Sequence, residues 1–238
     1  FIASTNATIY NNAIPHFIEV DDSLGIDTLK LENYLLKISK VKKNKCINKK
    51  TNREIKAIIP THVFGHIGNM DKLLKICKKY KLKLIEDSSE AFGSYFKKKH
   101  AGTFGLVGVL SFNGNKIITT GAGGAILTNS KLVANRVRHL SNTAKIKRKN
   151  NIIHNEVGYN YRMPSLNAAL GIAQLSKFKS IKKSKIKLFE DYKLKLKKNK
   201  NIEIISNTKN SSSNFWLNAV KVNKIDADKL FKISKLYN

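Results

Sequence analysis

The sequence predicts an α/β fold on a mostly parallel central sheet flanked by helices. Three observations predict it. Strand-like and helix-like segments alternate from residue 56 to residue 142, the pattern of βαβ winding. One strand, Lys83-Leu84-Ile85-Glu86-Asp87, ends on two acids, and ligands of such sheets gather at the carboxyl ends of strands. Between two apolar strands at residues 105–110 and 125–128 lies the loop 111–124, which carries Ser111, a lone Lys116 and the glycines Gly114, Gly121, Gly123 and Gly124. Such a loop suits a ligand: glycines let backbone N–H groups approach an anion, and a lysine can serve as cation or amine nucleophile.

In chain order, residues 1–13 open as a helix start. Residues 14–20 alternate apolar side chains around Pro15 and are expected to form a strand. Asp27 is placed as the N-cap of a helix with Leu31, Leu35 and Ile38 on one face. Residues 39–54 are a lysine-rich excursion, read as a loop or insertion. Residues 56–60 are a strand. Met70, Leu73, Leu74, Cys77 and Tyr80 share a helical face, with Asp71 near the helix start. Residues 130–142 are a helix, and 143–156 a second basic loop. Residues 157–165 lead into a long helix, with Leu166, Ala169, Leu170 and Ala173 on one side, expected to run with a break to about residue 198. Residues 202–205 and 215–222 read as strands of a smaller C-terminal α+β domain, joined by a turn at Ser211-Ser212-Ser213. The expected domains are 1–175, the large ligand-binding domain, and 176–238, a linking helix and the beginning of the small domain. A start at Phe1 in patterned sequence is read as a fragment cut at both ends.

The chain has 238 residues and a formal net charge of +29. That charge invites a nucleic-acid reading. However, of the 45 basic residues only Arg53, Arg136, Arg138, Arg148 and Arg162 are arginine, the favoured fork for bases and phosphates. The lysines scatter over polar faces, so solvated faces are preferred to a polyanion site. Two cysteines, Cys46 and Cys77, fit a reducing compartment and no metal site. No apolar run approaches membrane-spanning length, and no signal peptide is visible.

A P-loop would need Gly-x-x-x-x-Gly-Lys-Ser/Thr. Here Lys116 follows Asn115 and precedes Ile117, so that motif fails, and no dinucleotide fingerprint is present. What remains is an acid at a strand end, a serine five residues before a lysine, and a glycine-lined loop. A pyridoxal phosphate (PLP) enzyme needs these parts: an amine for the aldehyde, a carboxylate for the pyridine nitrogen, and hydroxyl and backbone donors for the phosphate.

At these residues the sequence resembles the DegT/DnrJ/EryC1/StrS family of sugar aminotransferases, PLP enzymes of the aspartate-aminotransferase-like (type I) fold. The matching stretches are residues 1–7, 57–65, 85–93, 102–124, 158–162 and 168–175, in that order. The form Phe112-Asn113-Gly114-Asn115-Lys116-Ile117-Ile118-Thr119-Thr120-Gly121 is most similar to the branch that aminates nucleotide-linked 4-keto sugars for legionaminic acid, bacillosamine or perosamine. The resemblance implies that Lys116 and Asp87 are catalytic: Lys116 forms the Schiff base and shuttles a proton, and Asp87 pairs with the pyridinium nitrogen. It implies that Glu90 stands near the cofactor's 3′-oxygen, where many members have glutamine, and that Ser111 bonds the phosphate. Phe1 matches an aromatic residue that stacks on the ring. Asn160 matches an asparagine that reaches the phosphate of a neighbouring subunit, which implies a homodimer with shared sites. His62 lies at a strand end near the site, as packing or catalytic residue. Tyr159, Tyr161 and Arg162 are scaffold, and Ala122 has no role. Family dehydratases can carry histidine in place of the lysine, so Lys116 disfavours that branch. A phosphate-holding segment of the family would precede Phe1. The implied function is transfer of an amino group, from glutamate, to a nucleotide-activated keto-deoxysugar for surface polysaccharide, in the cytoplasm and without membrane or nucleic acid. The alternatives are a dehydratase of the same family and a noncatalytic, polyanion-binding relative.

Overall fold

The computed structural model describes residues 1–149 and 151–235. Helix α1 (Ile2–Tyr10) opens the chain. The expected strand at 14–20 is absent: the segment carries no regular structure, and only Val20 pairs, in an isolated bridge to Ile26. Pro15 has no N–H to give a ladder, and Ile14 and Phe17 stand exposed. Helix α2 (Thr28–Ile38) starts where expected, with the Asp27 carboxylate accepting from Leu29 and Lys30 N–H.

The lysine-rich excursion is not a loop. It folds as an antiparallel meander of β1 (Ser39–Lys42), β2 (Lys45–Asn48) and β3 (Glu54–Ile55). Lys43 and Asn44 both take positive φ (48° and 61°), as a two-residue hairpin turn requires. Ser39, Cys46 and Asn48 are buried and Ile55 packs against the core, while lysine on the wet face hid the period-2 pattern.

Strand β4 (Ala57–Ile58) begins the central sheet, and a short 3₁₀ turn at Val63–Gly65 follows. Helix α3 (Met70–Tyr80) buries Met70, Leu73, Ile76, Cys77 and Tyr80 on one stripe. Its N-cap is Asn69, whose side chain accepts from Lys72 N–H, and Asp71 lies in the first turn. Together with Leu31 and Leu35 of α2, and with Ile58, Leu82 and Leu84, this stripe forms the core.

Strand β5 (Lys83–Asp87) then alternates: Leu84 and Glu86 are buried, while Ile85 and Asp87 take the other face. A hairpin of β6 (Tyr95–Phe96) and β7 (Lys99–His100) leads to β8 (Val107–Ser111) and β9 (Gly124–Leu127). The sheet order is β4-β5-β8-β9, with β4, β5 and β8 parallel and β9 antiparallel. The register sets Asp87 beside Val109 and Ser111 beside Gly124, so the acid and the serine emerge at the same end of neighbouring strands.

Helix α4 (Lys131–Leu140) is capped by the Ser130 hydroxyl, which accepts Val133 N–H. The basic segment 143–156 contains a hairpin of β10 (Lys145–Lys147) and β11 (Ile152–His154). Helix α5 (Ser165–Leu196) runs unbroken for 32 residues, without the expected interruption. Strand β12 (Ile202–Ile204) is followed by a two-residue strand, β13 (Ser211–Ser212), where a turn was expected. β13 pairs with β6 and so returns the chain to the large sheet's neighbourhood. The expected strand at 215–222 is reduced to β14 (Val220–Val222), which pairs with β12. Phe215 instead takes a φ of 48° and stacks on Phe189 of α5, with ring centroids 3.9 Å apart. Helix α6 (Lys224–Ser234) closes the described chain.

Candidate active site

Asp87 ends β5 with its backbone fixed on both flanks: its N–H donates to Pro60 O (2.9 Å), its carbonyl accepts from His62 N–H (3.0 Å), and the next N–H, of Ser88, donates to Val109 O (2.9 Å). The carboxylate accepts from the Ser4 hydroxyl of α1 (2.5 Å) and from Ser89 N–H (3.2 Å). Both donors are neutral, so the carboxylate can still take up a cationic N–H.

The neighbouring acid has a different fate. Glu86 is fully buried on the opposite face of β5 and accepts four hydrogen bonds. Oε1 takes Phe104 N–H (2.7 Å) and Gly105 N–H (2.8 Å); Oε2 takes Gly102 N–H (2.8 Å) and lies 3.1 Å from His62 Nε2. Burial pushes this carboxyl up, but the His62 hydrogen bond and charge and the N–H groups of Gly105 and Gly102 outweigh it, holding it below the ordinary carboxylate range. Glu86 therefore clamps the loop 102–105 under the sheet, and His62 is taken up by that clamp rather than presented to a ligand.

Lys116 lies on the loop after β8. The loop is pinned by Phe112 N–H to Gly123 O (2.9 Å), Thr120 N–H to Phe112 O (2.9 Å) and Lys116 N–H to Asn113 O (3.0 Å), while Ile117 and Ile118 are buried just beyond. Its side chain is 14% exposed, and Nζ donates to Glu90 Oε1 at 3.4 Å. The other oxygen of Glu90 accepts Phe64 N–H at 2.7 Å. Lys116 Nζ also sits 4.2 Å from the centre of the Trp216 ring. Ser111, half-buried at the end of β8, accepts Asn113 N–H at 3.3 Å.

Of the residues read from sequence, the structure thus joins Lys116 to Glu90 and sets Asp87 and Ser111 at adjacent strand ends. Phe1 is 94% exposed, and Asn160 is exposed in a bridge to Asn142. Among the described residues, no hydrogen bond or ring contact joins either of them to this group. Sequence reasoning missed Trp216 and Asn214, which reach the site from about a hundred residues downstream. The one signal available was that Trp216 is the chain's sole tryptophan.

Residues 1–235 match the DegT/DnrJ/EryC1/StrS aminotransferase family. The chain belongs to this family. It is 33% identical over 217 residues to GDP-perosamine synthase of Escherichia coli O157:H7, covering 91% of this chain and 55% of that relative. PseC of Helicobacter pylori, an aminotransferase of pseudaminic acid biosynthesis, superposes with a TM-score of 0.84 at 26% identity over 99% of this chain and 58% of that one. Spr1654 of Streptococcus pneumoniae, solved in a PLP form, shares the fold with a TM-score of 0.79 at 20% identity, over 94% of this chain and 58% of that one. The chain spans about half the length of the curated relatives it matches. The fold is thus the type I fold of this aminotransferase family, whose cofactor is PLP. The donor set fits that group: a largely buried amine, a strand-end carboxylate bonded only by neutral donors, and a hydroxyl beside a glycine-containing loop. Among the described residues, no helix is long and apolar enough to cross a membrane.

Proposed function

We propose that the protein catalyses PLP-dependent transfer of an amino group, from glutamate, to the keto carbon of a nucleotide-activated 4-keto-deoxysugar. Bound at the strand ends, the cofactor supplies an electrophilic carbon and an electron sink. Lys116 provides the amine for that carbon, and its Nζ then moves the proton at the reacting centre. Asp87, whose donors Ser4 O–H and Ser89 N–H are both neutral, would pair with the pyridine nitrogen and hold a proton there. Glu90, fixed by Phe64 N–H, orients the amine, and Ser111 with the loop 113–116 receives the phosphate. Phe1 and Asn160 complete the site in a homodimer, Asn160 by reaching the partner's cofactor. Residues 1–175 form the cofactor-binding unit and 176–238 the start of the small domain. The proposed setting is synthesis of surface polysaccharide in the cytoplasm; the relatives named for GDP-perosamine and pseudoaminic acid support the sugar substrate class.

One observation carries this reading: the Lys116 amine is held against Glu90 on a pinned loop, at the same sheet end as the cation-seeking Asp87. The test is a visible absorbance spectrum with added PLP, beside Lys116→Ala. The expected result is a band absent from the variant that bleaches on adding glutamate. A folded protein with no band, or an equal band in Lys116→Ala, overturns the reading.

A further inference from the structure

We propose that Trp216 is a positioning residue for the Lys116 amine, which the indole face and the Glu90 carboxylate hold from two sides. The aromatic face lies 4.2 Å from Nζ, the geometry in which a ring quadrupole attracts an ammonium. Glu90 Oε1 stands 3.4 Å from the same nitrogen.

Each support is itself fixed. The indole N–H donates to the carbonyl of Asn115, the residue before the lysine, at 2.8 Å. Trp216 N–H donates to Asn214 Oδ1 at 2.8 Å. Asn214 is fully buried, and its amide donates to Glu90 O and Phe92 O, both at 2.9 Å. Its backbone N–H donates to Ser94 Oγ at 2.9 Å, and that hydroxyl donates to Gly65 O at 2.7 Å. A Cβ at Gly65 would lie 1.9 Å from Asn214 Oδ1, so the close approach of these segments requires glycine. Phe64 supplies both the N–H on Glu90 and a ring 6.4 Å from the indole. One buried asparagine thus sets the two walls of the lysine cradle at a fixed separation.

A free lysine side chain samples many rotamers, and ordering it before reaction removes that cost from the bond-forming step. The cation–ring contact belongs to the ammonium of the unbonded lysine, and what it lends the amine is position. Trp216 therefore readies the amine for cofactor capture. That last role rests on the aminotransferase reading; the contact itself does not.

The test is peptide-resolved acetylation of the cofactor-free protein, comparing wild type, Trp216→Leu and Trp216→Phe. Lys116 should react roughly two- to fivefold faster in Trp216→Leu, the size of a partly exposed cation–π contact, and return towards wild type in Trp216→Phe. The exposed Lys177 and Lys179 of α5 should react equally in all three and so calibrate the reagent, while circular dichroism reports the folded state. Equal Lys116 rates in wild type and Trp216→Leu overturn the proposal. Should Trp216→Leu not fold, the emission of the sole tryptophan decides: it should shift between wild type and Lys116→Met, and identical spectra overturn the contact. With PLP added, the rate of band formation divided by the rate of Lys116 acetylation should fall roughly two- to fivefold in Trp216→Leu, because both reactions need the free amine and only capture needs it positioned; an unchanged ratio overturns the role in capture. A wild type with no band sinks the aminotransferase reading alone, because the acetylation comparison still decides the cradle.

Discussion

Replacing Glu86 by glutamine changes one atom and leaves the volume intact, yet it should cost much of the protein's stability. The carboxylate accepts four donors, two on each oxygen. An amide keeps one oxygen and turns an NH₂ towards the other pair; His62 can change tautomer and accept from it but a backbone N–H cannot, so at least one hydrogen bond is lost and the others lose the charge that strengthened them. A hydrogen bond to a charged group is worth roughly 1.5–3 kcal/mol, and with one lost and the others weakened the loss is about 3 kcal/mol. Domains have only about 5–15 kcal/mol in all. The assay is urea unfolding of wild type and Glu86→Gln across pH. Because the folded carboxyl lies below its ordinary value of 4.5, the wild type's advantage is complete above that pH and lost as pH falls through the lowered value. A variant within about 0.5 kcal/mol of wild type at neutral pH, or a difference that persists unchanged in acid, would refute the clamp.

The other predictions concern separate parts of the fold. Gly108→Ala would place a Cβ 2.0 Å from the carbonyl oxygen of Gly102, which the Glu86 clamp holds in place; the expected result is little or no folded protein on a solubility and circular dichroism test. Lys81, the C-cap of α3, sits in the left-handed region at φ 59°, so Lys81→Gly should raise stability by about 0.5 kcal/mol in urea unfolding. His100 accepts Gly93 N–H at Nε2 (2.8 Å), and Nδ1 lies 2.5 Å from Ala101 O, an arrangement that needs the neutral ring. Burial lowers its pKa below 6.5, against the opposing Ala101 hydrogen bond. Its contribution is therefore present above about 6.5 and lost as pH falls through the lowered value, and His100→Gln should flatten stability against pH there. His66, lowered to about 4 by burial, leaves a residual slope in that variant.

The parts of this molecule that follow a strong local rule were legible in the sequence. The α3 stripe, the Asp27 cap and the acid-ended β5 all appear where their patterns place them. Lysine obscured other elements. In β1–β3 the exposed positions are mostly charged and few residues turn inward, so short strands resembled a polar loop. The hairpin β10–β11 was hidden in the same way. At the site, Lys116 with its glycines and Asp87 stood out because their chemistry is unusual at strand ends. Glu86 was read only as the second of two acids, although period-2 alternation sends it to the face opposite Asp87. Trp216 and Asn214 were beyond reach, because no local pattern reports a partner 101 or 124 residues away.

That separation has a consequence for how the protein is made. The sheet β4-β5-β8-β9 is encoded between residues 57 and 127 and can pair once that stretch has left the ribosome. The walls around the lysine are drawn together only when residues 213–216 emerge and β13 docks on β6. A nascent chain that ends before residue 213 lacks the residues that wall the lysine on that side. Premature termination before Asn214 leaves a sheet whose lysine lacks its second wall.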